Sequence, residues 1–538
     1  MLESVDRFRS GILAYGRWIA GAVVFVVLLT PSAAPAERIY YACGTTLEEI
    51  IECWASVREW KEDNEEHDVI ILPQPFDSSE ARKQYENIHS KQQQSPQSAD
   101  SESILSRNEG HRGIPIHLLR IDIVDVPHLA ARHEEGNGLA PEARRFGILN
   151  LSEFVNANPS KKEEWCEHMR AQIDKMQDQA LYAPPGDDPK LSFWECDGQP
   201  GNQPGSFFAI PYFVDVASII GNTRIHAPAT MKDGWNGFLR SVAQSDREAS
   251  NAPELESDNA EATVPYAFQI TATESMIANF FEWLFESKDS ERISHSRREF
   301  VNAVKEEWPG SENGKLSPFG EKLKLLHQLA AQSRGAGASS GDELTTLEHF
   351  EDGRVKYMRN WPFAYARLTK QDSGMSDQID IRPLPGRSTL GGGYLAISDR
   401  EGMTNGMKSA VFELAMHLAS ENSQKKRAAD FGVLPTLADL YTKDHSKILA
   451  ERPYFRTMHK AMENAIVRPA KAFGEDYRPV MNAVAQELCD FFHTKIDDED
   501  YPDETDALRN NIVSIFESGA SNSEAESTQS ESDSSCSG

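Results

Sequence analysis

Short apolar runs alternating with amphipathic helical stretches constrain this chain more than any other feature. Ile39-Tyr40-Tyr41-Ala42 reads as a strand. Gly44-Thr45-Thr46 follows, and then a helix of roughly 16 residues beginning near Leu47. Thr46 and Glu49 stand at capping-box spacing at its start. Val69-Ile70-Ile71-Leu72, bounded by Pro73, is a second apolar strand, and Ile116–Val124 is a third. Strands alternating with helices predict an α/β fold with mainly parallel sheets. From about residue 263 the chain turns helical. Ser275–Ser287 and Lys408–Ala419 carry apolar faces at helical spacing, and Ser423–Phe431 runs on to a stop at Gly432. Between them GGGYLAIS is a glycine-rich turn entering a strand.

The N-terminus says where such a chain goes. Arg7, Arg9 and Arg17 precede the apolar run Trp18–Leu29, and small residues then lead to Ala34-Pro35-Ala36. That run is too short for a hydrocarbon core, which takes about 20 residues. The pattern is that of a secretory signal over 1–36, with export to the periplasm. An uncleaved anchor is the alternative. In an oxidising compartment Cys43 with Cys53, and Cys166 with Cys196, can form local disulfides; buried or free thiols are the other reading. With no C-x-x-C pair, no metal site is expected.

Acidic residues outnumber basic ones 84 to 55, giving a formal net charge of −29. Such a surface repels phosphate, so nucleic acid is excluded as a partner. The polar stretches 87–112, 184–207, 246–262 and 332–343 read as insertions. The tail 517–538 holds nine serines and five acids, with no basic or aromatic residue, and is expected to be disordered.

Catalytic signatures are missing: there is no HExxH, GxxxxGK[ST] or GxGxxG. Gly337-Ala338-Ser339-Ser340-Gly341 fits G-x-S-x-G only formally, in a low-complexity run. His128 and His133 miss the spacing of a helical metal pair. No catalytic residue and no cofactor are assigned. What remains is a set of rings and carboxylates. Trp361 sits at a stiff turn before Pro362, Asp122 ends an apolar strand, and Asn279 and Glu282 share a helix face. These parts suit a sugar, whose C–H faces stack on aromatic rings while its hydroxyls need directional partners. Each also has a plain structural use: Trp361 in the core, Asp122 as a helix cap.

From about Tyr40 to Thr494 the chain resembles the solute-binding proteins of bacterial ABC sugar importers, most of all their trehalose/maltose-type branch. CGTTLEEIIECW resembles the family's glycine turn and acidic helix start. IHLLRIDIVDVPHLA resembles the strand carrying a ligand-facing Asp, here Asp122. IPYFVDVASIIGNT resembles the first inter-lobe crossing and contributes Tyr212 and Asp215. TESMIANFFEWLF supplies Glu274, Asn279 and Glu282, and YMRNWPFAYARL places Trp361 as the stacking ring. RPLPGRSTLGGGYLAIS brings Gly392, Gly393 and Tyr394, with Gly393 standing where the branch usually has an aromatic. ENAIVRPAKAFGEDYRPV puts Arg468 on the family's Arg-Pro position. Glu48 and Arg82 complete the implied ligand-binding set.

The resemblance implies a two-lobed α/β periplasmic binding protein (type II), with the ligand cleft between the lobes and three crossovers, near Pro211, Pro383 and Pro435. Lobe one would take 37–210 and 386–434, and lobe two 211–385 and 435–516. It further implies a monomer that captures a sugar such as trehalose or maltose and delivers it to a permease driven by a cytoplasmic ATPase. Two other classes stay open. One is an exported glycoside hydrolase using Asp122 and Glu282, which needs carboxylates about 5–9.5 Å apart. The other is a sensor or scaffold with the same fold.

Overall fold

A computed structural model of the chain describes residues 37–44, 47–74, 116–130, 147–182, 206–223, 233–250, 264–286, 296–335, 341–370, 375, 378–399, 403–442, 446–519 and 536. The strands are β1 (Glu37–Ala42), β2 (His67–Leu72), β3 (Leu118–Asp122), β4 (Gly147–Ile148), β5 (Leu181–Tyr182), β6 (Ser206–Phe207), β7 (Ile210–Val216), β8 (Ser218–Asn222), β9 (Val264–Ala267), β10 (Val355–Asn360), β11 (Ile379–Pro383) and β12 (Leu390–Asp399). One sheet runs β2-β1-β3-β12-β4, with β7 also on β12; a second runs β11-β8-β10-β9; β5 and β6 pair apart. Helices cover both sheets, so strands such as β8 and β10 are buried along their whole length.

The apolar runs fold as their pattern demands. Ile39–Ala42 lies in β1, Val69–Leu72 in β2, and the helix between them spans Leu47–Asp63. Glu421–Phe431 ends on Gly432 at φ 70°, the left-handed cap that glycine adopts without a Cβ penalty. The sheets are mixed, which corrects the expectation of mainly parallel ones. β1 is parallel to β2 and β3, and β9 to β10. β12 is antiparallel to β3, β4 and β7, and β8 is antiparallel to β10 and β11. Within these two sheets the antiparallel pairs are those that involve the strands joining them. The chain leaves the first sheet at Ala217, between β7 and β8, and returns between Pro383 and Leu390. Pro211 lies inside β7, paired with Tyr394, so the first crossing comes later than its proline suggests. Past Gly432, Leu434 bridges to Val214 and Leu437 to Gln172, against the first sheet.

The C-terminal helices return to the second sheet. Phe492 packs edge-on against Trp283 and Phe268, and Phe516 against Phe300 at 4.9 Å. Cys43 is bonded to Cys53, as the sequence allowed. Cys166 is disulfide-bonded too, to a partner outside the described residues. Cys489 is bonded to Cys536, which ties the far end of the chain to the helix Tyr477–His493. Glu517 and Ser518 close the helix Tyr501–Ser518, and 520–535 lie outside the described residues. Among the described residues no helix is long and apolar enough to cross a membrane.

Gly432 offers a direct test. A Cβ there would stand 2.5 Å from Ala366 Cβ and 2.9 Å from the Tyr454 hydroxyl. Gly432→Ala should destabilise the protein by about 1–3 kcal/mol, adding steric overlap to the left-handed φ. A urea midpoint unchanged from wild type would show that this cap is not needed.

Candidate functional site

The site forms where β12 passes between β3 and β7. Gly393 pairs with Asp122 on one side and Phe213 on the other, and Gly391 pairs with Asp215. Side chains alternate along a strand. In β7, Tyr212, Val214 and Val216 are therefore buried, while Phe213 and Asp215 turn to the other, half-buried face. The glycines leave that face open. A Cβ on Gly391 would lie 3.1 Å from the Trp361 indole and 3.3 Å from Asp215 Cβ. One on Gly393 would run into the Phe213 ring at 2.2 Å, and Gly392 has a φ of 138°. A bulge at Gly393/Tyr394 completes the bend.

Trp361 caps the short helix Pro362–Leu368, and its indole N–H donates to Glu343 at 3.1 Å. Behind the ring stands Arg359, its guanidinium 4.2 Å from the ring centroid. Glu282 grips that guanidinium at 2.7 and 3.1 Å and also accepts from Thr389 N–H and Oγ1. Gln269 adds a contact to Arg359 at 3.3 Å, and Asn279 donates to the Gln269 carbonyl at 2.8 Å. Asn279, Glu282 and Arg359 are all at 0% exposure. Glu282 and Asn279 thus hold the ring from behind and present no surface to a ligand.

The Asp215 carboxyl makes no hydrogen bond or ion pair to another described residue. Burial pushes its carboxyl up to about 8; Arg120 opposes the shift, while Glu49, Asp122 and Glu52 add to it. Arg120 lies over the Phe213 ring at 4.5 Å and donates to Glu49 at 2.8 Å. At the strand end Asp122 accepts from Val124 N–H, capping a turn, and from Arg468 at 2.9 Å. Arg468 also donates to Glu274 at 2.7 Å, and Glu274 accepts from Tyr477 and Arg478.

The structure thus brings together Asp122, Asp215, Trp361, Gly392 and Gly393, with Glu274 and Arg468 beside them. It sets four others apart. Tyr212 points into the core, 3.8 Å under Arg427 and hydrogen-bonded to Glu52, because three steps along a strand reverse the face. Tyr394 is fully buried, its hydroxyl spent on the Met176 carbonyl, so it cannot serve as a stacking platform. Asn279 and Glu282 are the other two. Arg82, His133 and the Gly337–Gly341 motif reach outside the described residues, as does the side chain of Glu48. Sequence reading missed Phe213, Arg120, Arg359 and Arg478. A lone arginine within an apolar strand, as in LLRID and VKYMRN, was the available signal.

No model of a known protein family matches the sequence. A "Probable ABC transporter-binding protein" of Deinococcus radiodurans is 26% identical over 285 residues, 52% of this chain and 62% of that protein, so less than two thirds of the relative is spanned. Among solved structures, maltose-bound MalE3 of T. maritima superposes with a TM-score of 0.61 at 16% identity, over 90% of this chain and 99% of the other. An ABC transporter solute-binding protein of Thermotoga lettingae bound with alpha-D-tagatose gives 0.56 at 13% identity, over 89% and 100%. The chain has the two-lobed α/β fold of these periplasmic binding proteins.

Two outcomes follow for stability. Glu282→Ala leaves Arg359 buried without its partner and should cost about 3–5 kcal/mol, read as a lowered denaturation midpoint. Asp215, with a folded-state value raised to about 8, burdens the fold increasingly as pH rises from the ordinary carboxylate range to that value. Asp215→Asn should therefore raise the melting temperature over wild type by a margin that grows from pH 5 to about 8 and then levels. A margin independent of pH would refute the assignment.

Proposed function

We propose that this chain is the substrate-binding component of an ABC importer, capturing a sugar between two lobes and passing it to a membrane permease driven by a cytoplasmic ATPase. The observation that carries the reading is the Trp361 ring held over Gly391 beside the unpaired Asp215 carboxyl. A pyranose sets its C–H face on the ring and its hydroxyls against Asp215, while Phe213 lines the cleft a strand away. The relatives named above point the same way, and a disaccharide of the trehalose or maltose kind is the ligand we favour.

The lobes in this reading follow the division expected from the sequence, except that β7 stays with the first: 37–217 with 386–434, and 218–385 with 435–516. The binding unit is a monomer of the periplasm, carried there by the signal 1–36. Nothing covalent happens to the ligand. The hydrolase alternative loses its second carboxylate, because Glu282 is sealed against Arg359 and Thr389. Ligand shifts an open–closed equilibrium by its differential affinity for the closed form. Hinge closure around a ligand is the known motion of periplasmic binding proteins as a class.

A thermal-shift panel of mono-, di- and trisaccharides and polyols tests this. A sugar at 100 times its dissociation constant should stabilise the fold by about 2.7 kcal/mol. Trp361→Ala should abolish that shift while retaining a cooperative melt. A flat response across the panel would move the protein to the sensor class, and an unchanged affinity in Trp361→Ala would remove the ring from the site.

A further inference from the structure

Three cations and three aspartates meet across the boundary between the bodies built on the two sheets. The cations come from the single stretch 468–478. Arg468 donates to Asp122 at 2.9 Å, Lys471 to Asp178 at 3.1 Å, and Arg478 grips Asp125 with a two-pronged pair at 2.9 and 3.1 Å. The cation side chains are 3%, 9% and 4% exposed, in that order. Their stretch belongs to the second body: Phe473 packs on Phe300 and Phe516, and Tyr477 opens the helix whose Phe492 meets Trp283. The aspartates belong to the first. Asp122 ends β3, Asp125 closes the turn after it, and Asp178 lies on the helix Asp174–Ala180, which packs against β7.

Paired cations so little exposed define one placement of the two bodies. A guanidinium fork fits a carboxylate in one plane and loses both bonds when either body moves. Arg478 has a further role. Its Nη1 also reaches the second oxygen of Glu274 at 3.1 Å, and the first oxygen of that carboxylate holds Arg468 and the Tyr477 hydroxyl. Lys471 bonds to Asp178, and Arg478 to Asp125 and Glu274, not to Trp361 or Asp215.

We propose that the stretch 468–478 is an ionic clasp that fixes the closed placement of the two lobes. Arg478 is its main positioning residue, holding Asp125 directly and Arg468 on Asp122 through Glu274. The inference rests on the reading that the lobes close around a ligand. A weaker clasp lowers the closed population, and apparent affinity falls with the competent fraction.

The test uses the full chain with spin labels on cysteines introduced at Glu153 and Asn302, exposed positions on the first and second bodies. Inter-label distances are read without sugar. Wild type should show a short-distance population, and Arg478→Gln and Asp125→Asn should each reduce it about tenfold, the double variant going no further than either single one. Arg478→Lys keeps the charge without the fork and should fall between. Distances in Arg478→Gln and Asp125→Asn equal to wild type, or no short-distance population in wild type, would overturn the clasp. Should Arg478→Gln not fold, Lys471→Gln and Arg478→Lys carry the same comparison. A panel in which no sugar binds defeats the capture reading, while the sugar-free distances still decide the clasp.

Discussion

β12 carries glycine at three successive positions where it runs between β3 and β7, and the cleft depends on the space this leaves. With no Cβ at Gly391 the Trp361 indole can lie against the backbone, and with none at Gly393 the Phe213 ring takes the place a side chain would fill. Asp122 and Asp215 come to the same strand from opposite neighbours. A run that contributes no side chain of its own thus decides which side chains meet.

A buried ionic frame holds those side chains in place. Glu282, Arg359 and Trp361 form a chain from core to cleft in which each group fixes the next, and the charges are matched before the ring is reached. Such a pair is a weak source of net stability, since desolvation offsets most of its attraction. What it provides is a single orientation for the ring. Asp215 is the reverse case: burial raises it and no described side chain hydrogen-bonds to it.

In the proposed reading the two arrangements divide the labour of a capture protein. The glycine strand, the ring and Asp215 offer contacts suited to a sugar. The pairs from 468–478 to Asp122, Asp125 and Asp178 join the two bodies. Asp122 and Arg468 belong to both, which is how occupancy of the cleft would be felt at the boundary.

Much of this was legible in the sequence. Local patterns marked β1, β2, the helix Leu47–Asp63 and the Gly432 cap, because strand and helix periods and a left-handed stop are properties of neighbouring residues. The acid excess is read without any fold. Trp361, Asp122 and Asp215 could be named from their motifs. Tyr212 could not be told from Phe213 until β7 was paired, since only the tertiary structure says which face of a strand meets the core. Tyr394 and Glu282 read as site residues and proved to be core and support, because burial depends on what packs from afar. The mixed sheets, the Cys489–Cys536 bond and the pairing of 468–478 with three distant aspartates lay beyond the sequence for the same reason. Composition and period fix local form, whereas contacts between residues hundreds of positions apart are set only when the chain closes on itself.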